Sequence, residues 1–194
     1  MDVCGKFAID ILQNCQKPIV GGVKDRLILI NMSDIESIIR NNTNPQIIED
    51  IILVSSPQAK AYYVEGKNGS NDLRSALVKQ TYTEMFTHEC IFRIFDNSPD
   101  IKQNIENMAR GGRMVAVVEN NFRGTGDVSS FEIFGIDIGL ELVECESNKS
   151  DQETQGAWVL TLRSPERNPE PHLPATLFDT DYATTKAIVT ALIS

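Results

Sequence analysis

Leu73-Arg74-Ser75-Ala76-Leu77-Val78-Lys79-Gln80-Thr81-Tyr82-Thr83-Glu84-Met85-Phe86-Thr87-His88-Glu89-Cys90-Ile91-Phe92-Arg93-Ile94-Phe95 decides the fold class. The stretch contains no Gly, Pro, Asn or Asp and is rich in Thr, Phe and Ile, residues that fit a pleated, half-buried surface. One alternating set is Ala76, Val78, Gln80, Tyr82, Glu84, Phe86, His88, Cys90, Phe92 and Ile94. The other holds Ser75, Lys79, Thr81, Thr83, Thr87, Glu89 and Arg93. Period 2 with one apolar face means β-structure. At about 3.3 Å per residue, twenty such residues would reach roughly 65 Å, too long for one straight strand inside a small domain. Three readings are open. One strand bends and serves two sheets, or two strands meet at a turn lacking the usual turn residues, or a strand leaves the domain and pairs with a neighbouring subunit.

Working outward, short apolar runs add further strands at Arg26–Met32, Ile47–Val54, Lys60–Gly66, Met114–Val118, Phe131–Phe134, Leu140–Glu144 and Ala157–Leu162. Gly66 to Asp72 and Arg123 to Asp127 read as turns. Helices are expected in three places. Ser33-Asp34-Ile35-Glu36 has the form of a capping box, with Ile35, Ile38 and Ile39 on one face, which predicts a helix over 33–40. Ser98-Pro99-Asp100 predicts a helix over 98–110 with Ile101, Ile105 and Met108 as its apolar stripe and Gly111-Gly112 at its end. A short C-terminal helix is expected from Asp181, with Ala187, Ile188 and Leu192 on one side. Lys6–Cys15 leans towards a helix as well. The expected architecture is mainly β with flanking helices (α+β): a β-sandwich or rolled antiparallel sheet with a long strand or hairpin at 73–95. Residues 1–164 form the β-rich domain. Pro165, Pro169, Pro171 and Pro174 make 165–194 an extended arm ending in the short helix.

The chain has 194 residues, 41% of them hydrophobic, enough for one domain with a real core. Lys and Arg number 18 against 27 Asp and Glu, a net charge of −9. That balance excludes a nucleic-acid-binding surface, which needs clustered cations to neutralise phosphates. Neither a signal peptide nor an apolar run long enough to span a bilayer is present, so no membrane partner is expected. Cys4, Cys15, Cys90 and Cys145 lack any C-x-x-C pairing and read as reduced thiols.

Reactive constellations are few. His88 and Cys90 share a strand face, the spacing a Cys–His nucleophile requires, although a free cysteine in a sheet is more often plain core. Gly21-Gly22, Gly111-Gly112-Arg113 and Gly124-Thr125-Gly126 match no phosphate-loop pattern. Glu141, Glu144 and Glu146, and the pair Asp179 and Asp181, lack a cation-loop spacing and read as a solvated acidic face. No cofactor, metal or catalytic set is therefore expected.

Several stretches in order along the chain carry a resemblance. They are Lys17-Pro18-Ile19-Val20-Gly21-Gly22-Val23-Lys24-Asp25-Arg26, Ala76-Leu77-Val78-Lys79-Gln80, Phe92-Arg93-Ile94-Phe95-Asp96-Asn97, Val115-Ala116-Val117-Val118-Glu119-Asn120-Asn121, Phe134-Gly135-Ile136-Asp137-Ile138-Gly139-Leu140, Thr154-Gln155-Gly156-Ala157-Trp158 and Pro171-His172-Leu173-Pro174. Together they resemble structural tail or connector proteins of tailed bacteriophages, crAss-like and related gut phages. The resemblance implies a non-enzymatic virion protein, assembled in the bacterial host cytoplasm. It implies a hexameric or dodecameric homo-oligomeric ring or tube in the tail or head–tail connector. DNA would pass through it without specific binding, and other tail or connector proteins would contact it. A head-decoration, minor capsid or tail-completion protein is the alternative. The expected subunit interface uses Thr81, Thr83, Thr87 and Glu89 from the polar strand face and Arg167, Pro169, Pro171 and His172 from the arm.

Overall fold

The computed structural model describes residues 20–79 and 83–194. The expected helix at Lys6–Cys15 lies outside these residues, as do Cys4, Cys15 and Thr81. The described chain is mainly β, with two flanking helices. In chain order its elements are β1 (Val23–Asn31), β2 (Ile35–Arg40), β3 (Ile47–Leu53), β4 (Tyr62–Glu65), β5 (Asp72–Lys79), β6 (Glu84–Ile94), α1 (Pro99–Ala109), β7 (Arg113–Asn120), β8 (Phe131–Phe134), β9 (Leu140–Glu146), β10 (Trp158–Arg163), β11 (Ala175–Leu177) and α2 (Tyr182–Ala191). The sheet order is β2-β3-β11-β8-β7-β9-β10-β6-β5, with β1 pairing both β7 and β4. All of these pairings are antiparallel except that of β11 with β3.

β1 and β7 form the wall between two cores. Their unbroken apolar runs have that meaning, because successive side chains of a strand face opposite ways. Ile28, Ile30, Val115 and Val117 face one core, where Ile48 and Ile51 of β3, Leu177 of β11 and Val189 of α2 meet them. Leu27, Leu29, Met114, Ala116 and Val118 face the other, closed by Cys90 and Phe92 of β6, Leu160 and Leu162 of β10, Leu140 of β9 and Ile105 of α1. Ser98 occupies the N-cap position of α1, but its hydroxyl bonds Asp96 Oδ2 at 3.2 Å and makes no cap hydrogen bond. Asp181 does cap α2, accepting from the Thr184 N–H at 2.7 Å. The buried residues of α2 are Thr185 and Val189, so the helix is rotated from the face expected through Ala187.

Two sequence expectations are corrected. Residues 33–40 are not helical. A single 3-10 turn covers Met32–Asp34, and Ile35–Arg40, with the second half of the capping box, is strand β2, paired with β3 from Ile35↔Leu53 to Arg40↔Ile48. A ladder to the isoleucine-rich β3, with β-branched side chains that favour extended backbone, overrides the local cap signal. The Ser33 hydroxyl meets Asp34 Oδ1 at 3.3 Å instead of capping a helix.

The second correction concerns 165–194, which is no projecting arm. Pro169 and Glu170 are buried, and β11 lies inside the sheet between β3 and β8. Residues 165–174 turn at 166–167 and lie as a strap beside β6, tied to it by the backbone of Glu170.

Candidate functional site

The stretch holds two antiparallel strands, as in the second of the three readings, and residues 80–82 between them lie outside the described residues. β5 and β6 pair without a register shift from Asp72↔Ile91 to Lys79↔Glu84. Each pair joins an even to an odd number, so the single alternation read through 73–95 breaks at the connection. On β6 the body-facing residues are even: Phe86, His88, Cys90 and Phe92. On β5 the residues of the same face are odd: half-buried Leu73 and exposed Ser75 and Leu77, which oppose Cys90, His88 and Phe86. The other face carries a polar strip in which Arg163 donates to Glu89 Oε2 at 2.6 Å and Arg74 lies 3.8 Å from Glu89 Oε1. Among the described residues β5 pairs with β6 alone, and Leu77 is 53% exposed.

The opposite edge of β6 is held by β10 from Glu89 to Ile94 and, beyond that, by the strap. Phe86 and Glu170 exchange two backbone bonds of 2.7 and 2.9 Å. The Ser164 N–H donates to the His88 carbonyl at 2.9 Å, and the Ser164 hydroxyl accepts from the His88 N–H at 2.9 Å. The Glu170 side chain is fully buried in the turn between β8 and β9. Its Oε1 accepts from the N–H groups of Ile138 (3.0 Å) and Gly139 (3.1 Å), and its Oε2 from that of Asp137 (3.1 Å). Consecutive backbone N–H groups of this kind make an anion nest. Burial pushes the Glu170 carboxyl up, the amide donors pull it down, and the Asp137 carboxylate pushes it up again; the net direction is up. Asp137 is itself paired with Arg40 at 2.7 Å.

His88 lies beside this nest. Its Nδ1 accepts from the Gly135 N–H at 3.1 Å, and its Nε2 lies 3.0 Å from the His172 carbonyl. Only the neutral ring with hydrogen on Nε2 satisfies both contacts. Burial lowers its pKa from 6.5 to about 4, against the His172 carbonyl and Asp137, which raise it. The Phe134 ring meets it edge-on with centroids 5.5 Å apart.

The Cys90–His88 pair is not arranged as a nucleophile. Cys90 is fully buried, and burial, with the Asp72 charge, pushes its thiol up to about 12. Both imidazole nitrogens are committed to backbone groups, which leaves no base for the thiol. Thiolate character and access set reactivity, so alkylation of native protein should modify exposed Cys145 on the order of 100-fold faster than Cys90. Peptide-resolved mass spectrometry reads this directly.

No protein-family model, curated protein or solved structure matches the chain. Its function therefore rests on geometry. Of the expected interface residues, Thr83 is exposed just before β6, while Thr87 and Glu89 are half-buried on the polar face of the hairpin. Arg167 is exposed, Pro171 is half-buried and Pro169 is buried. His172 is exposed but gives its carbonyl to His88. Of the expected arm residues, His172 is brought to β6, through its carbonyl contact with His88. Sequence reasoning missed Glu170. Its signals were Pro169-Glu170-Pro171, a carboxylate on stiff backbone, and the Gly135-Ile136-Asp137-Ile138-Gly139 turn.

Elsewhere the surface of the described residues holds shallow depressions. One of about 330 Å³ is lined by Glu144, Cys145, Glu146, Val159 and Thr161. Another of about 480 Å³ lies between β3, the loop after it and α2, with Ile52, Leu53, Val54, Ile188 and Ala191 in its wall. Among the described residues no group of three or more His, Cys, Asp or Glu side chains could hold a metal ion. Among the same residues no helix is long and apolar enough to cross a membrane.

Proposed function

We propose that this chain is a self-assembling structural component of a phage virion. Copies join side by side into a ring or tube of the tail or head–tail connector, through which DNA passes unbound. The observation that carries the reading is the outer edge of the β5–β6 hairpin. β5 is eight residues long and exposed over most of that length, and its register is regular from end to end. An edge of this kind is a template for another strand, and proteins that stay apart blunt such edges with bulges or cover them. The far edge of the sheet, β2, carries two register shifts of that blunting kind. β5 carries none. The acidic balance of −9, with Glu144 and Glu146 exposed on β9, supports a wall that DNA phosphates would slide past without sticking.

Concentrated purified protein should form rings or tubes in negative-stain micrographs, with a matching rise in mass by light scattering. Leu77→Lys puts a charge on the exposed apolar position of the edge and should weaken assembly at least about tenfold, with the circular dichroism unchanged. A protein that stays strictly monomeric at every concentration overturns the ring reading. So does a Leu77→Lys variant that assembles like the parent.

A further inference from the structure

We infer that the strap is an acid-operated latch that fixes the stem of the β5–β6 hairpin, with His88 as its trigger and Glu170 as its bolt. This goes beyond the assembly reading and holds whether or not the hairpin joins other copies.

The geometry has three parts. The Glu170 carboxylate sits in the 137–139 nest on three N–H groups. The Glu170 backbone closes a two-bond bridge to Phe86. The His88 ring ties the Gly135 N–H on the β8–β9 turn to the His172 carbonyl on the strap. The hairpin stem, the turn and the strap thus meet at one imidazole. Past Glu89 the stem has no β10 ladder, so at Phe86 and His88 the strap and the preceding Ser164 hold its inner edge.

Adding a proton to Nδ1 turns that acceptor into a donor and points it at the Gly135 N–H. Two donors cannot share the contact, and a cation is placed in a buried site. The charged groups around His88 do not cancel this. Asp137, across the turn, is neutralised by Arg40 of β2, and Glu89, next along β6, by Arg163 of β10 and Arg74 of β5. Glu170 on the strap is bonded by the nest.

The sign follows from linkage. A histidine of ordinary pKa 6.5 when the latch is open and about 4 when closed makes opening more favourable as pH falls, by about 100-fold between pH 7 and pH 4. Glu170 works in the opposite sense. Its raised pKa means that taking up a proton favours the closed form, which reduces the net change.

Hydrogen exchange on the full chain tests this, with protection factors corrected for intrinsic rate. Between pH 7 and pH 4 the amides of Phe86, Gly135 and Glu170 should lose at least about tenfold in protection. Val115 to Val118 in the central wall should keep theirs. His88→Gln offers one acceptor and one donor without titrating, and should abolish the loss of protection on acidification, leaving only the opposite change that Glu170 contributes. Glu170→Ala should leave the latch amides open already at pH 7. Loss of protection at the latch and the central wall together overturns the inference, and so does an unchanged pH response in His88→Gln. The wild-type comparison alone decides the matter if a variant fails to fold.

Discussion

Glu170→Ala is expected to lower the free energy of unfolding by about 3–5 kcal/mol. The carboxylate, itself fully buried, is the acceptor for three consecutive N–H groups, those of half-buried Asp137 and Ile138 and of buried Gly139. Each buried donor left without a partner costs about 1–3 kcal/mol, and water entering the space left by the side chain would recover part of that. Glu170→Gln keeps one carbonyl oxygen for Ile138 and Gly139 but turns its own N–H towards that of Asp137. Its expected loss is smaller, about 1–2 kcal/mol. Urea unfolding followed by circular dichroism should show the midpoint falling in the order wild type, Gln, Ala with an unchanged slope. An Ala variant as stable as the parent would mean that the nest does not need its carboxylate.

The second large effect belongs to the same turn. Gly135→Ala is expected to lose about 3–4 kcal/mol. Gly135 has φ +77°, where a side chain strains the backbone by roughly 1–2 kcal/mol. An added Cβ would also stand 2.6 Å from Leu140 Cγ and 3.2 Å from the Leu140 nitrogen. Leu140 is fully buried and cannot give way, and overpacking of this kind costs about 1–3 kcal/mol. Gly69→Ala provides the contrast. Its φ is +70°, but no atom lies within 4 Å of the added Cβ, so only the backbone cost of about 1 kcal/mol remains. Thermal and urea unfolding of the two variants should therefore differ by about 2–3 kcal/mol. Equal losses would mean that the backbone angle alone sets the cost.

Much of the fold was legible. The runs at Leu27–Ile30 and Val115–Val118 are apolar at successive positions because both faces of each strand are buried. Ser98-Pro99-Asp100 marked the start of α1 and Asp181 the cap of α2. His88 and Cys90 do share a strand face, though their chemistry could not be judged from spacing. Whether a thiol is a nucleophile depends on burial and on what the imidazole bonds, and His88 bonds Gly135 and His172, 47 and 84 positions away.

What the sequence determined by itself is the content of strand and helix along most of the chain, through local sterics and side-chain period. Tertiary structure decided the rest. It made Ile35–Arg40 a strand despite a capping box, because β3 supplies a ladder that an isolated segment lacks. It exchanged the inner face between β5 and β6, because hairpin register depends on the connection between them. It also drew a proline-rich segment into the body, because the donors that satisfy Glu170 lie 31 to 33 positions earlier. A buried carboxylate is stable only where distant backbone N–H groups converge on it, and no local pattern records that convergence.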